Sequence, residues 1–276
     1  MDATKHYSVA LTVAGSDSSG GAGIQADLKT FSALGVFGTS VITAVTAQNT
    51  LGVRAIQTID ADLVKAQLEA VFDDIKIHAV KIGMLHAPEI VEVVADAVDK
   101  YSPGYVVLDP VMIASSGDSL IKKDTVAVMR RLLFPRLTLL TPNVGEAECF
   151  TGTTINNDGD LYRAGEMLLD AGCRAVLMKG GHLKGDRKND VLLIRGKSPV
   201  LFSEKTVDTV NTHGTGCTLS SAVAAYLASG CSLEDAAGKA KKFVTGALEA
   251  GADVKTGNGH GPLNHFFDPE KLIIWR

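Results

Sequence analysis

The chain is poor in cysteine and has no excess of positive charge. Its four cysteines, Cys149, Cys173, Cys217 and Cys231, are scattered. None forms a C-x-x-C pair, and their spacing fits no zinc site. Disulfides are not expected in a chain that reads as cytosolic. A formal net charge of −4 excludes a broad basic face for nucleic acid. The short stretch Lys239-Ala240-Lys241-Lys242 falls on a helical pattern and reads as a solvated helix face. No apolar run is long enough to cross a bilayer, and residues 1–8 are polar with no apolar signal region. The expectation is a cytoplasmic protein with no membrane partner. No linker, low-complexity segment or fixed-period repeat divides the 276 residues, of which 46% are apolar. That is ample for a large core, and it predicts one domain over 1–276.

Short β-branched runs alternate with helical patterns. Strands are predicted at 9–14, 41–47, 53–59, 79–82, 105–109, 137–140 and 175–178, with a further pair at 191–194 and 200–203. Helices are predicted at 24–34, 61–72, 89–98, 161–171, 218–228 and 233–250. Such alternation implies an α/β fold with a mostly parallel sheet and helices on both faces. Ligands of such sheets bind beyond the carboxyl ends of the strands, where this chain places its polar and glycine-rich stretches.

Four stretches carry candidate chemistry. The first, Ala14-Gly15-Ser16-Asp17-Ser18-Ser19-Gly20-Gly21-Ala22-Gly23, leads from a strand into a helix, and its glycines let backbone approach a ligand. Gly21 to Ala26 matches G-x-G-x-x-A, but a dinucleotide fold wants an acidic residue about 20 positions onward. Residues 39–50 contain none, so a Rossmann-type oxidoreductase is disfavoured. A G-x-x-x-x-G-K-[ST] loop is absent as well. The second stretch, Asn211-Thr212-His213-Gly214-Thr215-Gly216-Cys217-Thr218, opens into an apolar helix. A glycine-rich helix start gathers unpaired N–H groups on an anion and lowers the pKa of a thiol in its first turn. His213 reads equally as a structural or a catalytic histidine. The third is Thr141-Pro142-Asn143-Val144-Gly145-Glu146, where Asn143 and Glu146 either cap a helix or serve a metal–phosphate site. In the fourth, Met178-Lys179-Gly180-Gly181-His182, Lys179 either reaches phosphate or ends a strand in solvent. Asp109, before Pro110, is a strand-end carboxylate able to hold a metal through water.

Together with Lys81-Ile82-Gly83-Met84, Leu108-Asp109-Pro110-Val111-Met112 and Gly259-His260-Gly261-Pro262-Leu263-Asn264-His265, these stretches resemble the ribokinase-like superfamily. Within it the chain is similar to the hydroxymethylpyrimidine/phosphomethylpyrimidine kinase branch, over nearly its whole length. The resemblance implies ATP and Mg2+ as cofactors, a small pyrimidine substrate and a homodimer. It implies two successive phosphorylations, of the hydroxymethyl group and then of the monophosphate, in thiamine biosynthesis. It implies that Gln48 meets the pyrimidine edge, where an amide offers a donor and an acceptor together. Met84 and Val111 then form apolar walls, Gly15 belongs to the substrate loop, and Asp27 adds a polar contact. Asn143, Glu146, Lys179 and Thr212 serve the nucleotide, and Glu146 and Asp109 the metal. Gly214, Thr215 and Gly216 supply N–H donors to the moving phosphoryl group, with Cys217 as base where most of the superfamily has aspartate. The rival within the superfamily is pyridoxal kinase, against which Gln48 argues. A nucleotide-binding regulator without turnover is the rival from another class, and the intact Gly-Thr-Gly-Cys argues against it.

Overall fold

A computed structural model of the chain describes residues 5–113, 120–122, 124–181 and 185–275. His182, at the end of the fourth stretch, lies outside them. The first part of the chain runs β1 (His6–Tyr7), β2 (Val9–Asp17), α1 (Gly23–Ala33), β3 (Phe37–Asn49), β4 (Gly52–Thr58), α2 (Ala61–Phe72) and β5 (Ala79–Ile82). Next come α3 (Pro88–Tyr101), β6 (Tyr105–Leu108), α4 (Thr125–Leu132), β7 (Leu139–Leu140), α5 (Val144–Thr151) and α6 (Asp158–Asp170). The chain ends with β8 (Ala175–Lys179), β9 (Arg187–Ile194), β10 (Val200–Lys205), α7 (Thr215–Ala228), α8 (Leu233–Gly251) and β11 (Ile274–Trp275).

Nine strands form one sheet in the order β10-β9-β8-β7-β6-β5-β2-β3-β4. The strands from β8 to β3 run parallel, while β9, β10 and β4 are antiparallel additions at the edges. Strands β1 and β11 pair separately. Alternation along each central strand feeds two cores. Leu11, Val13, Val80 and Ile82 pack with α2 to α6 on one face; Ala10, Ala79 and Val107 pack with α1, α7 and α8 on the other. Thr12 and Lys81, register partners on β2 and β5, point to the second face.

The structure extends the expected elements. The first strand continues past Ala14 to Asp17, with a register shift between Ala14 and Ser16 that turns its last residues toward the loop. Strand β3 starts at Phe37 and ends at Asn49. Helix α4 was not expected, because Val126 and Val128 give its short span a strand-like look; Met129 anchors it in the core.

Candidate active site

The carboxyl ends of β2, β5, β6, β7 and β8 open into a cleft of about 750 Å3. Of the residues expected to form a site, Gly15, Gln48, Met84, Asp109, Val111, Asn143, Glu146, Lys179, Thr212, Gly214, Thr215, Gly216 and Cys217 all line it.

The loop before α7 is held in one shape. Gly214 has φ +84, and a Cβ there would collide with the Gly21 carbonyl, so only glycine fits. Thr215 Oγ1 donates to Thr212 O at 2.7 Å, and Thr218 Oγ1 to Gly214 O at 2.9 Å. A Cβ on Gly216 would meet Lys179 Nζ at 3.2 Å and Asp109 Oδ2 at 3.5 Å. The helix start thus faces this pair at close range.

Lys179 Nζ lies 2.7 Å from Asp109 Oδ1 and 3.8 Å from Glu146 Oε2. Asp109 Oδ2 is buried and, among the described residues, the only side-chain polar atom so buried that lacks a partner. Burial opposes the Lys179 ammonium, but Asp109 and Glu146 outweigh it and raise its pKa. Burial raises the Glu146 carboxyl to about 7, with Asp109 adding to the effect and Lys179 and Asn143 opposing it. Asn143 and Glu146 form a reciprocal capping box: Asn143 N donates to Glu146 Oε2 at 2.7 Å, and Glu146 N to Asn143 Oδ1 at 2.9 Å. The cap is therefore present, and the same carboxylate borders the cleft.

At the other end, Gly15 approaches Met84 so closely that a Cβ would lie 2.5 Å from its terminal methyl. Met84 packs with Ala44, Leu120 and Val111 in a small apolar cluster. Gln48 stands at a register shift between β3 and β4. Its Oε1 accepts from Thr46 Oγ1 at 3.1 Å, and its Nε2 is 3.4 Å from His213 Nε2.

Two expectations need correction. Asp27 makes no contact with the cleft: it is fully buried behind it, its oxygens taken by Lys81, Thr12 and Ser221. The Cys217 thiol is not made more acidic by its helix start. Burial pushes it up to about 11, with Asp27 and Asp109 adding, while Lys81 and the Gly23 N–H oppose. The expectation counted the helix terminus and missed the loss of water around the sulfur.

The sequence reading assigned no role to Asp17, Lys81, Asp190 or Lys241. Asp17 Oδ2 lies 2.8 Å from His213 Nε2. Lys241 Nζ lies 2.7 Å from Asp190 Oδ2, beside Gly180. A lysine inside the buried run Ala79-Val80-Lys81-Ile82 was the one available signal for Lys81. The turn of the β3–β4 hairpin is also fastened: Thr50 Oγ1 accepts from Asn258 N and Gly259 N at 3.2 Å each, and Thr50 O from His260 N at 3.0 Å. Gln48 is two residues before Thr50, and His260 lines the cleft.

The family profile described as phosphomethylpyrimidine kinase matches residues 17–264. The hydroxymethylpyrimidine/phosphomethylpyrimidine kinase of Rhizobium meliloti is 48% identical over 259 residues, 94% of this chain and 97% of that one. The thiamine biosynthesis bifunctional protein of Geobacter sulfurreducens is 46% identical over 262 residues, 95% of this chain and 53% of that protein. Among solved structures, the Staphylococcus aureus pyridoxal kinase in complex with AMP-PCP and pyridoxal superposes with a TM-score of 0.86 at 32% identity, covering 94% of this chain and 93% of that one.

Proposed function

The chain belongs to the phosphomethylpyrimidine kinase family, and from that premise we propose how its cleft works. The enzyme transfers the γ-phosphoryl group of ATP to the hydroxymethyl group of 4-amino-5-hydroxymethyl-2-methylpyrimidine, and then to the resulting monophosphate, in thiamine biosynthesis. The observation that carries this reading is one arrangement: the glycine-rich start of α7 faces Lys179 and Asp109, with Gln48, Met84 and Val111 at the adjoining end of the same cleft. Phosphoryl transfer asks chiefly for positioning and for donors aimed at developing charge.

In this reading Gly214, Thr215 and Gly216 present backbone N–H groups to the moving phosphoryl oxygens, and Lys179 neutralises phosphate charge. Asn143 and Thr212 border the nucleotide. Gln48 pairs with the polar edge of the pyrimidine, and Met84, Val111 and Gly15 enclose its ring. Cys217, as thiolate, takes the proton of the hydroxymethyl group. In the second step the acceptor is an ionised phosphate, which needs little help from a base. That tolerates a thiol pushed up to about 11.

The donor set fits magnesium held mostly through water. Asp109 Oδ2 is an orphaned carboxylate oxygen beside Glu146, while no group of three or more His, Cys, Asp or Glu among the described residues forms a ready cage. Asp109 and Glu146 would hold such an ion through its waters, and it would supply positive charge against the phosphates. We place the protein in the cytoplasm as one kinase domain over 1–276; among the described residues no helix is long and apolar enough to cross a membrane. A homodimer is supported by the family resemblance and by the open edge at β4.

The likeness to a pyridoxal kinase fold favours pyridoxal as the rival acceptor. The protein is incubated with MgATP and either hydroxymethylpyrimidine or pyridoxal, and ADP and phosphorylated product are followed. Two successive products from the pyrimidine are expected. Turnover of pyridoxal with an inert pyrimidine would reverse the assignment, and turnover of neither would leave a nucleotide-binding regulator.

A further inference from the structure

Gln48 is tied to the first glycine loop through three neighbours. Ser18 Oγ accepts from Gln48 N at 2.8 Å and donates to Gln48 O at 2.7 Å, which fixes the backbone. The side-chain amide lies between Thr46 and His213, both 5% exposed. Thr46 Oγ1 is 3.1 Å from Ser16 O on its far side. His213 Nε2 is shared: it lies 2.8 Å from Asp17 Oδ2 and 3.4 Å from Gln48 Nε2. Asp17, Thr46, Gln48 and His213 all border the cleft.

Asp17 fixes the protons of this group. Backbone N–H groups can only donate, and they reach both of its oxygens: Ser19 N meets Oδ1 at 2.8 Å, and Ala22 N meets Oδ2 at 2.8 Å. Asp17 is therefore an acceptor on both sides, and the His213 nitrogen facing it carries a proton. Two conflicts arise when the Gln48 nitrogen faces His213. Two N–H donors then oppose each other at 3.4 Å. Thr46 Oγ1, with one proton, is then claimed by two acceptors, Ser16 O and Gln48 Oε1, each at 3.1 Å. Half a turn of the amide exchanges its oxygen and nitrogen in nearly the same space and removes both conflicts. Oε1 then accepts from His213, Nε2 donates to Thr46 Oγ1, and Thr46 keeps its proton for Ser16 O.

We propose that Asp17 and His213 are positioning residues for substrate choice: they lock the Gln48 amide with its oxygen toward His213, and so select 4-aminopyrimidines over 4-oxopyrimidines. The proposal rests on the reading of Gln48 as the ring contact. A 4-aminopyrimidine offers an amine donor beside a ring-nitrogen acceptor. A 4-oxopyrimidine offers the reverse, a carbonyl beside a ring N–H. A freely turning amide reads both edges, and a locked one reads only the first. The lock also orients the ring. Around the substrate the order is methyl, ring nitrogen, amine, hydroxymethyl. With Oε1 on the His213 side the amine lies on that side, and the hydroxymethyl group comes next, toward the run 214–217 that follows His213 in the chain. The reversed amide would turn the methyl group there, which has no oxygen to accept a phosphoryl group.

The test is the ratio of dissociation constants, by calorimetry, for 4-amino-5-hydroxymethyl-2-methylpyrimidine and its 4-oxo analogue. Wild type should prefer the amine about a hundred-fold, two mismatched hydrogen bonds at about ten-fold each. His213→Leu removes the donor and should shrink the ratio about ten-fold. Thr46→Val removes the acceptor at the other end and should shrink it too, which keeps the test open if the first variant fails to fold. His213→Gln should restore the preference, because its amide nitrogen has one proton for Asp17 and another for Gln48 Oε1. The lock is also readable without substrate: two-bond 1H–15N correlations of the His213 ring should show a proton on Nε2. A wild type that binds both rings equally, folded His213→Leu and Thr46→Val variants that lose affinity for both rings in equal measure, or an unprotonated Nε2 would overturn the proposal. A Gln48→Leu protein with unaltered affinity for the amine would instead refute the ring contact itself, a failure that leaves the His213 proton in place.

Discussion

Asp17 and His213 stand 196 residues apart in the chain and meet at 2.8 Å, Oδ2 to Nε2. The contact fastens the loop after β2 to the loop before α7. Asp17 also accepts from Ser19 N, Gly21 N and Ala22 N, so one carboxylate organises the whole first glycine turn. Burial alone would raise the pKa of this carboxyl. The donors from His213, Ser19 and Ala22 outweigh burial and bring it down to about 2.

The unfolded chain therefore holds this proton more tightly than the folded one. The resulting stabilisation is complete above the unfolded value of 3.8 and is lost as pH falls through about 2. Asp17→Asn should cost about 1–2 kcal/mol at neutral pH, with a smaller difference in acid. Denaturant titrations at neutral and acid pH measure both. An equal loss at both would show that shape, not charge, matters at this position.

Gln48 lies where the apolar cluster around Met84 gives way to the His213 loop. Gln48→Leu removes the amide and leaves the polar edge of the pyrimidine unpaired, at about 1–3 kcal/mol of binding. Calorimetry should show weaker pyrimidine binding and unchanged ATP binding. Unaltered pyrimidine affinity would take Gln48 out of recognition.

Glu146 combines the cap of α5 with a carboxyl raised to about 7 by burial. The folded, metal-free protein holds this proton more tightly than the unfolded chain, so ionisation destabilises it as pH rises from 4.5 through about 7. Glu146→Gln keeps an oxygen for the Asn143 N–H and removes the charge. Without metal, the variant should be more stable than wild type above pH 7, by up to about 3 kcal/mol, and similar near pH 4. With MgATP it should lose activity and require more magnesium. Lower stability at every pH with normal magnesium dependence would leave the cap as its only role.

The sequence made the cleft readable where its residues are neighbours in the chain. The run 214–217 sits at the start of one helix, so local pattern marked it; Asn143, Glu146 and Lys179 also sit at element ends, but local pattern left their roles open and the family resemblance pointed to the cleft. Asp17 with His213, and Asp27 with Lys81, are assembled by packing between distant elements, and no local pattern encodes such a partner. Asp27 was given a substrate contact by the family resemblance alone, and nothing local in the sequence showed the lysine of β5 that takes its oxygens. The acidity of Cys217 misled in the same way, because a helix start is visible in sequence and burial is not. The edge additions β9 and β10 were legible as a pair from their β-branched runs; α4 was hidden by its own.

A thiol pushed up to about 11 is almost wholly protonated at neutral pH. The first phosphorylation should therefore accelerate about ten-fold per pH unit on the alkaline side, until the protein unfolds. The second should be nearly flat. Cys217→Ser should reduce the first step about 10²–10⁴-fold and spare the second. Cys217→Asp restores the superfamily's usual base and should recover part of the first. Single-turnover rates of each step at saturating MgATP check all of this. Equal losses in both steps would implicate the backbone donors, and no loss in either would remove Cys217 from the mechanism.

The three hydrogen bonds that Asn258 N, Gly259 N and His260 N donate to Thr50 make the hairpin carrying Gln48 and the loop carrying His260 one mechanical body. Both sides of this tie border the one cleft. Whatever factor a bound nucleotide adds to the affinity for the pyrimidine, the pyrimidine must add to the affinity for the nucleotide. Order imposed on the shared body by the first arrival is order that the second need not impose again.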